Sequence, residues 1–308
     1  MKRPFYNAVH SLFHDPRHFV SAACIRLGKC LPDEAYLKLM FRLELRQKLN
    51  LDHPTTFNEK LQWLKLYYHR PDLTMMADKE AVKGYVASLI GEEYVVPLLG
   101  KWEDPKDIDW DALPRQFVLK TNHDGGNYGI VICKDKDSLD KDKAIRKLRA
   151  SLNRNPYLLG REWPYKNIPR KVFAEAYLEE TGKQELTDYK FYCFDGKVRF
   201  LFIASGRQEG HITFDYFDEN YRHLDVVQTH PPAAVPPEKP EQFDLMIELA
   251  EKLSKGLPHV RVDFYQVNGK VYFGEYTFFT HGGWAAFDPE EYDHLLGSYI
   301  HLPDQKII

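Results

Sequence analysis

The order of patterns along the chain predicts an α+β protein. Helical spacing of apolar residues dominates residues 1–92, and short strands separated by turns dominate from Tyr94 onward. Two further amphipathic stretches, Asp137 to Leu152 and Gln242 to Leu253, interrupt the strands. Runs of helix followed by runs of strand are the signature of that class.

The elements follow in order. Leu37, Met40, Phe41 and Leu45 recur at helical spacing within 33–49, and Asp52-His53-Pro54 ends that helix. Thr56-Phe57-Asn58-Glu59 is a capping-box pattern that opens a second helix through Tyr68, with Leu61, Leu64 and Tyr68 on one face. A third helix is expected from about Lys79 to Ile90, stopped by Gly91. Strands are expected at 94–99, 116–120, 130–133 and 171–178. A meander of 186–194 and 197–205 follows, turning at Asp195-Gly196, and then a strand at 211–216. The proline-rich piece His230 to Pro240 reads as a surface loop, and the end of the chain as a short acidic segment.

Composition is that of a globular protein: 308 residues, 44% hydrophobic, 28% charged, net charge -3. Nothing in the charge points to nucleic acid. Cys24, Cys30, Cys133 and Cys193 are scattered with no CxxC pair, which suits reduced cysteines in a cytoplasmic protein. No apolar run is long enough to span a bilayer. The N-terminal MKRPFYNAVHSLFHDPRHFV is broken by His, Asp and Arg, so it is no secretory signal. It is expected to pack as an end helix, peripheral membrane contact being the alternative.

Two stretches carry chemistry. The first is HVRVDFYQVNGKVYFGEYTFFTHGGW, His259 to Trp284, a hairpin of strand formers holding three ionised groups, Arg261, Asp263 and Glu275. Charges in an apolar strand pair need partners or a metal. A two-residue Asn268-Gly269 turn would put Asp263 and Glu275 on opposite faces. A three-residue loop, Val267-Asn268-Gly269 with Gly269 left-handed, would put them on one face, together with Thr277. Two carboxylates and a hydroxyl form a hard oxygen site suited to magnesium carried in on phosphates. Without metal, the two carboxylates are expected to repel and raise each other's proton affinity, so that neutralising either one preserves stability. The second stretch is strand 116–120, ending in Lys120, which runs into Thr121-Asn122-His123-Asp124-Gly125-Gly126. Flexible backbone N–H groups there could wrap an anion. The pattern is not a GxxxxGK[ST] loop, so no Walker-type site is expected.

In this order, TFNEKLQWLK, FVLKTNHDGG and VRVDFY…YFGEYTF resemble the TupA-like family of the ATP-grasp superfamily, found with surface-polysaccharide genes; the resemblance runs from about Leu51 onward. It implies an ATP-grasp fold of two α+β lobes holding ATP with Mg2+. The helical region would be 1–92, the N-lobe with its glycine-rich loop 93–174, and the C-lobe with the metal site 175–308. It implies that Lys120 and Lys79 (Lys83 being the rival) meet the phosphates, and that the loop from His123 through Asp124, Gly125 and Gly126 closes over them. Glu175, Tyr177 and Leu178 would form the adenine-reading hinge, Asp188 would take the ribose hydroxyls, and Lys190 shares its face. Arg261 would steady an acylphosphate. Asp263, Glu275 and Thr277 would hold the metal, Thr277 standing where the superfamily usually has Asn. His281 and Gly282 are expected near the substrate, and Arg207 and His211 are candidates for a substrate carboxylate.

The activity implied is carboxylate–amine ligation through an acylphosphate, giving an amide. The implied carboxylate belongs to a uronic acid or acidic amino acid of a cell-surface polysaccharide or its precursor, the amine to an amino acid or amino alcohol. The implied location is cytoplasmic. A sugar kinase with the same ATP site and a glycosyltransferase are the alternatives, the latter needing a metal motif such as Asp107-Ile108-Asp109. A non-enzymatic assembly factor would need no intact acid pair.

Overall fold

A computed structural model describes residues 28, 31–126, 128–182, 185–206 and 210–308. The N-terminal segment expected as an end helix or membrane contact, Cys24, Cys30 and Arg207 lie outside them.

The architecture is α+β. Helix α1 is Asp33–Leu45, α2 Phe57–Tyr67, α3 Asp72–Ala77 and α4 Val82–Ile90. The capping box of α2 forms as expected: Thr56 accepts from the Glu59 backbone N–H while the Glu59 carboxylate accepts from that of Thr56. Strands β1 (Leu98–Trp102), β2 (Phe117–Thr121), β3 (Ile130–Cys133) and β4 (Val172–Ala176) make one sheet in the order β1-β4-β2-β3. Helices α5 (Lys141–Leu152) and α6 (Tyr157–Gly160) lie between β3 and β4. The second sheet has the order β10-β9-β5-β6-β7-β8, with β5 Asp188–Phe194, β6 Lys197–Ser205, β7 Thr213–Asp218, β8 His223–Leu224, β9 Val260–Val267 and β10 Lys270–Thr277. Every pairing in both sheets is antiparallel. Helix α7 (Phe243–Ser254) precedes β9, and α8 (Glu291–Tyr299) follows the hairpin. The sequence reading had only an acidic segment where α8 stands. Tyr292, Leu296 and Tyr299 carried a helical spacing that the acidic flanks obscured.

Two cores form. A small one, with Phe117, Leu119, Leu148, Val172 and Ala174, holds α5 on the first sheet. The large one joins residues of α1 to α4 with the second sheet and α8, so the helical region shares its core with residues 189–300. Within the second sheet the period of two sorts the side chains. Phe191 packs on Phe243 of α7, and Tyr276 donates to the Leu253 carbonyl. The opposite face carries Asp188, Lys190, Arg261 and Asp263, which are all buried. Cys133 and Cys193 are buried free thiols. Among the described residues no helix is long and apolar enough to cross a membrane.

Candidate active site

The hairpin puts Asp263 and Glu275 on one face, but not by the route expected. Gly269 is left-handed (φ 78°), yet Asn268 is too (φ 49°), and Val267 pairs with Lys270 across a two-residue turn. The register shifts instead between Phe273 and Glu275: Phe273 pairs with Phe264, Glu275 with Asp263, and Gly274 is the extra residue of a β-bulge. A Cβ on Gly274 would lie 3.0 Å from the Tyr265 ring and 3.2 Å from the Asp263 carbonyl, so this crowded position favours glycine. A glycine inside a strand pattern was the overlooked signal. The turn itself is tied to the segment joining the two sheets. Asn268 donates to the Glu179 carbonyl (3.1 Å) and its backbone N–H to Glu180 (2.6 Å).

Register then assembles the charges. Asp263 lies opposite both Lys190 and Glu275, and Arg261 opposite Thr277. Arg261 grips Asp263 with two hydrogen bonds (2.7 and 2.8 Å), and Lys190 reaches both Asp263 (2.5 Å) and Asp188 (2.7 Å). Lys79, at the turn between α3 and α4, pairs with Glu275. The mutual repulsion expected of the two acids is therefore overturned by interposed cations. Burial alone would push Glu275 up, but Lys79, Lys190 and Arg261 hold its carboxyl well below the usual range.

Arg261 Nη2 also tests the oxygen site. It lies 2.8 Å from Asp263 Oδ2, 2.8 Å from Thr277 Oγ1 and 3.9 Å from Glu275 Oε1, so the three expected donors converge on one cationic point. Among the described residues no third His, Cys, Asp or Glu joins them. The set fits a magnesium that completes its shell with phosphate oxygens.

A second charged group comes from the first sheet. Lys120 on β2 and Lys83 on α4 (2.9 Å) both pair with the buried Glu175. Burial acts against ionisation of Glu175, and the two lysines overcome it and lower its pKa. The expected hinge acid thus sits inside β4, with both oxygens paired to lysines in this structure. Tyr177 and Leu178 do lie in the connection to the second sheet, half-buried. Lys79 is half-buried within the fields of Glu275, Asp263 and Glu175, which raise its pKa against desolvation, so it links the two groups.

In the glycine-rich loop, Gly125 and Gly126 are exposed while His123 and Asp124 are buried. Asp124 accepts from Ser151 (2.8 Å), pairs with Arg154 (2.9 Å) and so anchors the loop on α5. Burial, aided by Arg170, keeps His123 below its usual pKa. The glycine backbone of the loop is thus open to solvent, with those two side chains serving as footing. His281 lies in the Thr280–Gly283 turn after β10, and burial with Arg261 and Lys190 nearby pulls it down to about 3. Gly282 follows it. His211 is exposed in the β6–β7 connection. Ile108 of the Asp-Ile-Asp stretch is buried in the small core, and Asp109 accepts from the Ala112 N–H (3.2 Å), so that stretch is a turn.

Sequence reasoning missed Lys65, Gln62 and Glu162. Lys65 sits one turn after Leu61 on the inner face of α2, and a lysine on an apolar stripe was the available signal.

Two clusters of paired charges result, Glu175 with Lys83 and Lys120 at the first sheet, and Asp263 and Glu275 with Lys190, Arg261 and Lys79 at the second. The chain belongs to the TupA-like ATPgrasp family, whose model matches residues 59–301. No curated protein matches. Among solved structures, D-alanine–D-alanine ligase from Bacillus anthracis is similar at 18% identity, covering 67% of this chain and 58% of that one (TM-score 0.38). The Helicobacter pylori ligase is similar at 16%, covering 80% and 69% (TM-score 0.43). The ATP-grasp ligase PsnB, complexed with a minimal precursor, is similar at 14%, covering 71% and 59% (TM-score 0.38). This chain therefore spans less than two thirds of the Bacillus anthracis ligase and of PsnB.

Proposed function

We propose that the protein is an ATP-dependent carboxylate–amine ligase modifying a cell-surface polysaccharide or its precursor. Family membership supports the ATP-grasp reading. The observation that carries it to this chain is the convergence of Asp263, Glu275 and Thr277 on Arg261 Nη2, flanked by Lys79 and Lys190.

Lys120 and Lys79 stand ready to exchange their carboxylate partners for phosphate oxygens, and the glycine backbone at 125–126 to cover them. Asp263, Glu275 and Thr277 would hold magnesium, which when bound neutralises phosphate charge and aligns the γ-phosphoryl group for in-line transfer. A carboxylate oxygen of the acceptor attacks the γ-phosphorus, and ADP leaves. Arg261, giving up that point to the metal, steadies the resulting acylphosphate with its guanidinium. An amine then attacks the acyl carbon and phosphate leaves. The acceptor acid expected is a uronic acid or an acidic amino acid.

Calorimetry with Mg-ATP, Mg-GTP and UDP-sugars tests the nucleotide, and ATP is expected to bind in preference to GTP. Product analysis with candidate acids and amines tests the chemistry. ADP, phosphate and a new amide are expected. A phosphorylated sugar would make the protein a kinase, and UDP-sugar binding without ATP binding would sink the ligase reading.

A further inference from the structure

The turn that follows the acid-bearing strand rests on α2. Lys65 is 2% exposed, and its Nζ donates to the Gly282 carbonyl (2.7 Å) and lies 4.7 Å from the Trp284 ring centre. Gln62, fully buried, donates to the carbonyls of Gly282 (3.1 Å) and Gly283 (2.8 Å), while its Oε1 has no hydrogen-bond partner. Glu162 follows α6 on the other side of Gly282. A Cβ on Gly282 would lie 3.8 Å from Glu162 Oε1, 4.0 Å from Lys65 Nζ and 4.0 Å from Trp284 Cδ1. The space a side chain would fill is thus bordered by a carboxylate, an ammonium and an indole. Lys65 and Glu162 act on one another through space. Among the described residues they form no direct ion pair, and the Glu162 carboxylate makes no hydrogen bond.

We propose that the gap over Gly282 is the seat of the attacking amine and takes an amino acid, its carboxylate on Lys65 and its ammonium on Glu162 and Gln62 Oε1. The inference rests on the ligase reading above. A buried lysine met by one carbonyl and the Phe279 and Trp284 rings lacks a directly bonded anion, and a half-buried carboxylate with no donor lacks a directly bonded cation. A zwitterion supplies both at once, whereas an amino alcohol leaves Lys65 unpaired. The seat follows the acid-bearing strand, Gly282 standing five residues after Thr277 in the turn that succeeds β10. Burial pushes Glu162 up against the pull of Lys65, which suits it to take a proton. The ammonium gives one proton to Glu162. The amine nitrogen then forms the C–N bond as the acyl C–O bond breaks, and phosphate leaves with that electron pair and the second proton.

Calorimetry on the full chain with a non-hydrolysable Mg-ATP analogue tests this, using the common amino acids and their amino-alcohol counterparts as probes. At least one amino acid is expected to bind, and to bind at least about tenfold tighter than its alcohol. Lys65→Met should erase that preference while Gln62 still pins the turn. Glu162→Gln should weaken the amino acid about tenfold and leave the nucleotide affinity unchanged. Should Lys65→Met not fold, Glu162→Gln carries the test, since no hydrogen bond is lost. No binding by any amino acid, equal binding of the alcohols, or a preference that survives both variants overturns the proposal. A wild type that binds no Mg-ATP fails the ligase reading instead.

Discussion

Asp263→Asn separates the charge architecture described above from a plain metal-ligand role. Asp263 is 1% exposed and accepts two hydrogen bonds from Arg261 and one from Lys190. The substitution keeps the shape and removes the anion. Lys190 retains Asp188 at 2.7 Å, but Arg261 keeps the amide oxygen, Thr277 and, as its nearest anion, a carboxylate 3.9 Å away. A buried cation is left undercompensated, which costs about 3–5 kcal/mol. At roughly 2–4 °C per kcal/mol for a chain of this size, Tm should fall by roughly 6–20 °C. Thermal melts without nucleotide measure it, and activity should be lost as well. Glu275→Gln should cost far less, because its side chain is 36% exposed and only Lys79 pairs with it closely. An Asp263→Asn protein that melts within about 1 °C of the wild type would refute the reasoning. It would mean that Arg261 and Lys190 are satisfied without Asp263.

Deleting Gly274 should remove the bulge yet leave Glu275 opposite Asp263 and Thr277 opposite Arg261, so Mg-ATP binding measured by calorimetry should persist. Lys120→Ala should lower turnover by about 10² or more in steady-state assays, with little change in Tm because Glu175 keeps Lys83. Burial holds His259 down to about 3, so the folded chain refuses a proton that the unfolded chain accepts from about pH 6.5 downward. Its contribution to stability is complete above that value and is lost progressively as pH falls toward 3. The drop in Tm over that range should be smaller in His259→Gln.

Local chemistry was legible in the residues. The capping box of α2, the stop at Gly91, the turns at Asp195-Gly196 and Asn268-Gly269 and the period of two in the hairpin depend on neighbours a few positions away, and the structure follows them. The resemblance to a known family rested on linear motifs, so the family too could be read before any fold was seen. What only the tertiary structure decided was which charges face which. Asp263 and Glu275 share a face because of a one-residue bulge at Gly274, and the pattern of alternation alone admits either register. The resemblance makes Glu175 a hinge acid, and only the fold shows Lys83 from α4 and Lys120 from β2 closing on both its oxygens. Lys65 and Glu162, 97 positions apart in the numbering, meet across Gly282 because the helical region folds into the core of the second sheet. Electrostatic partners are chosen by distance in space, and in this chain that distance is set by sheet register and by a shared core, neither of which is written in any single stretch of sequence.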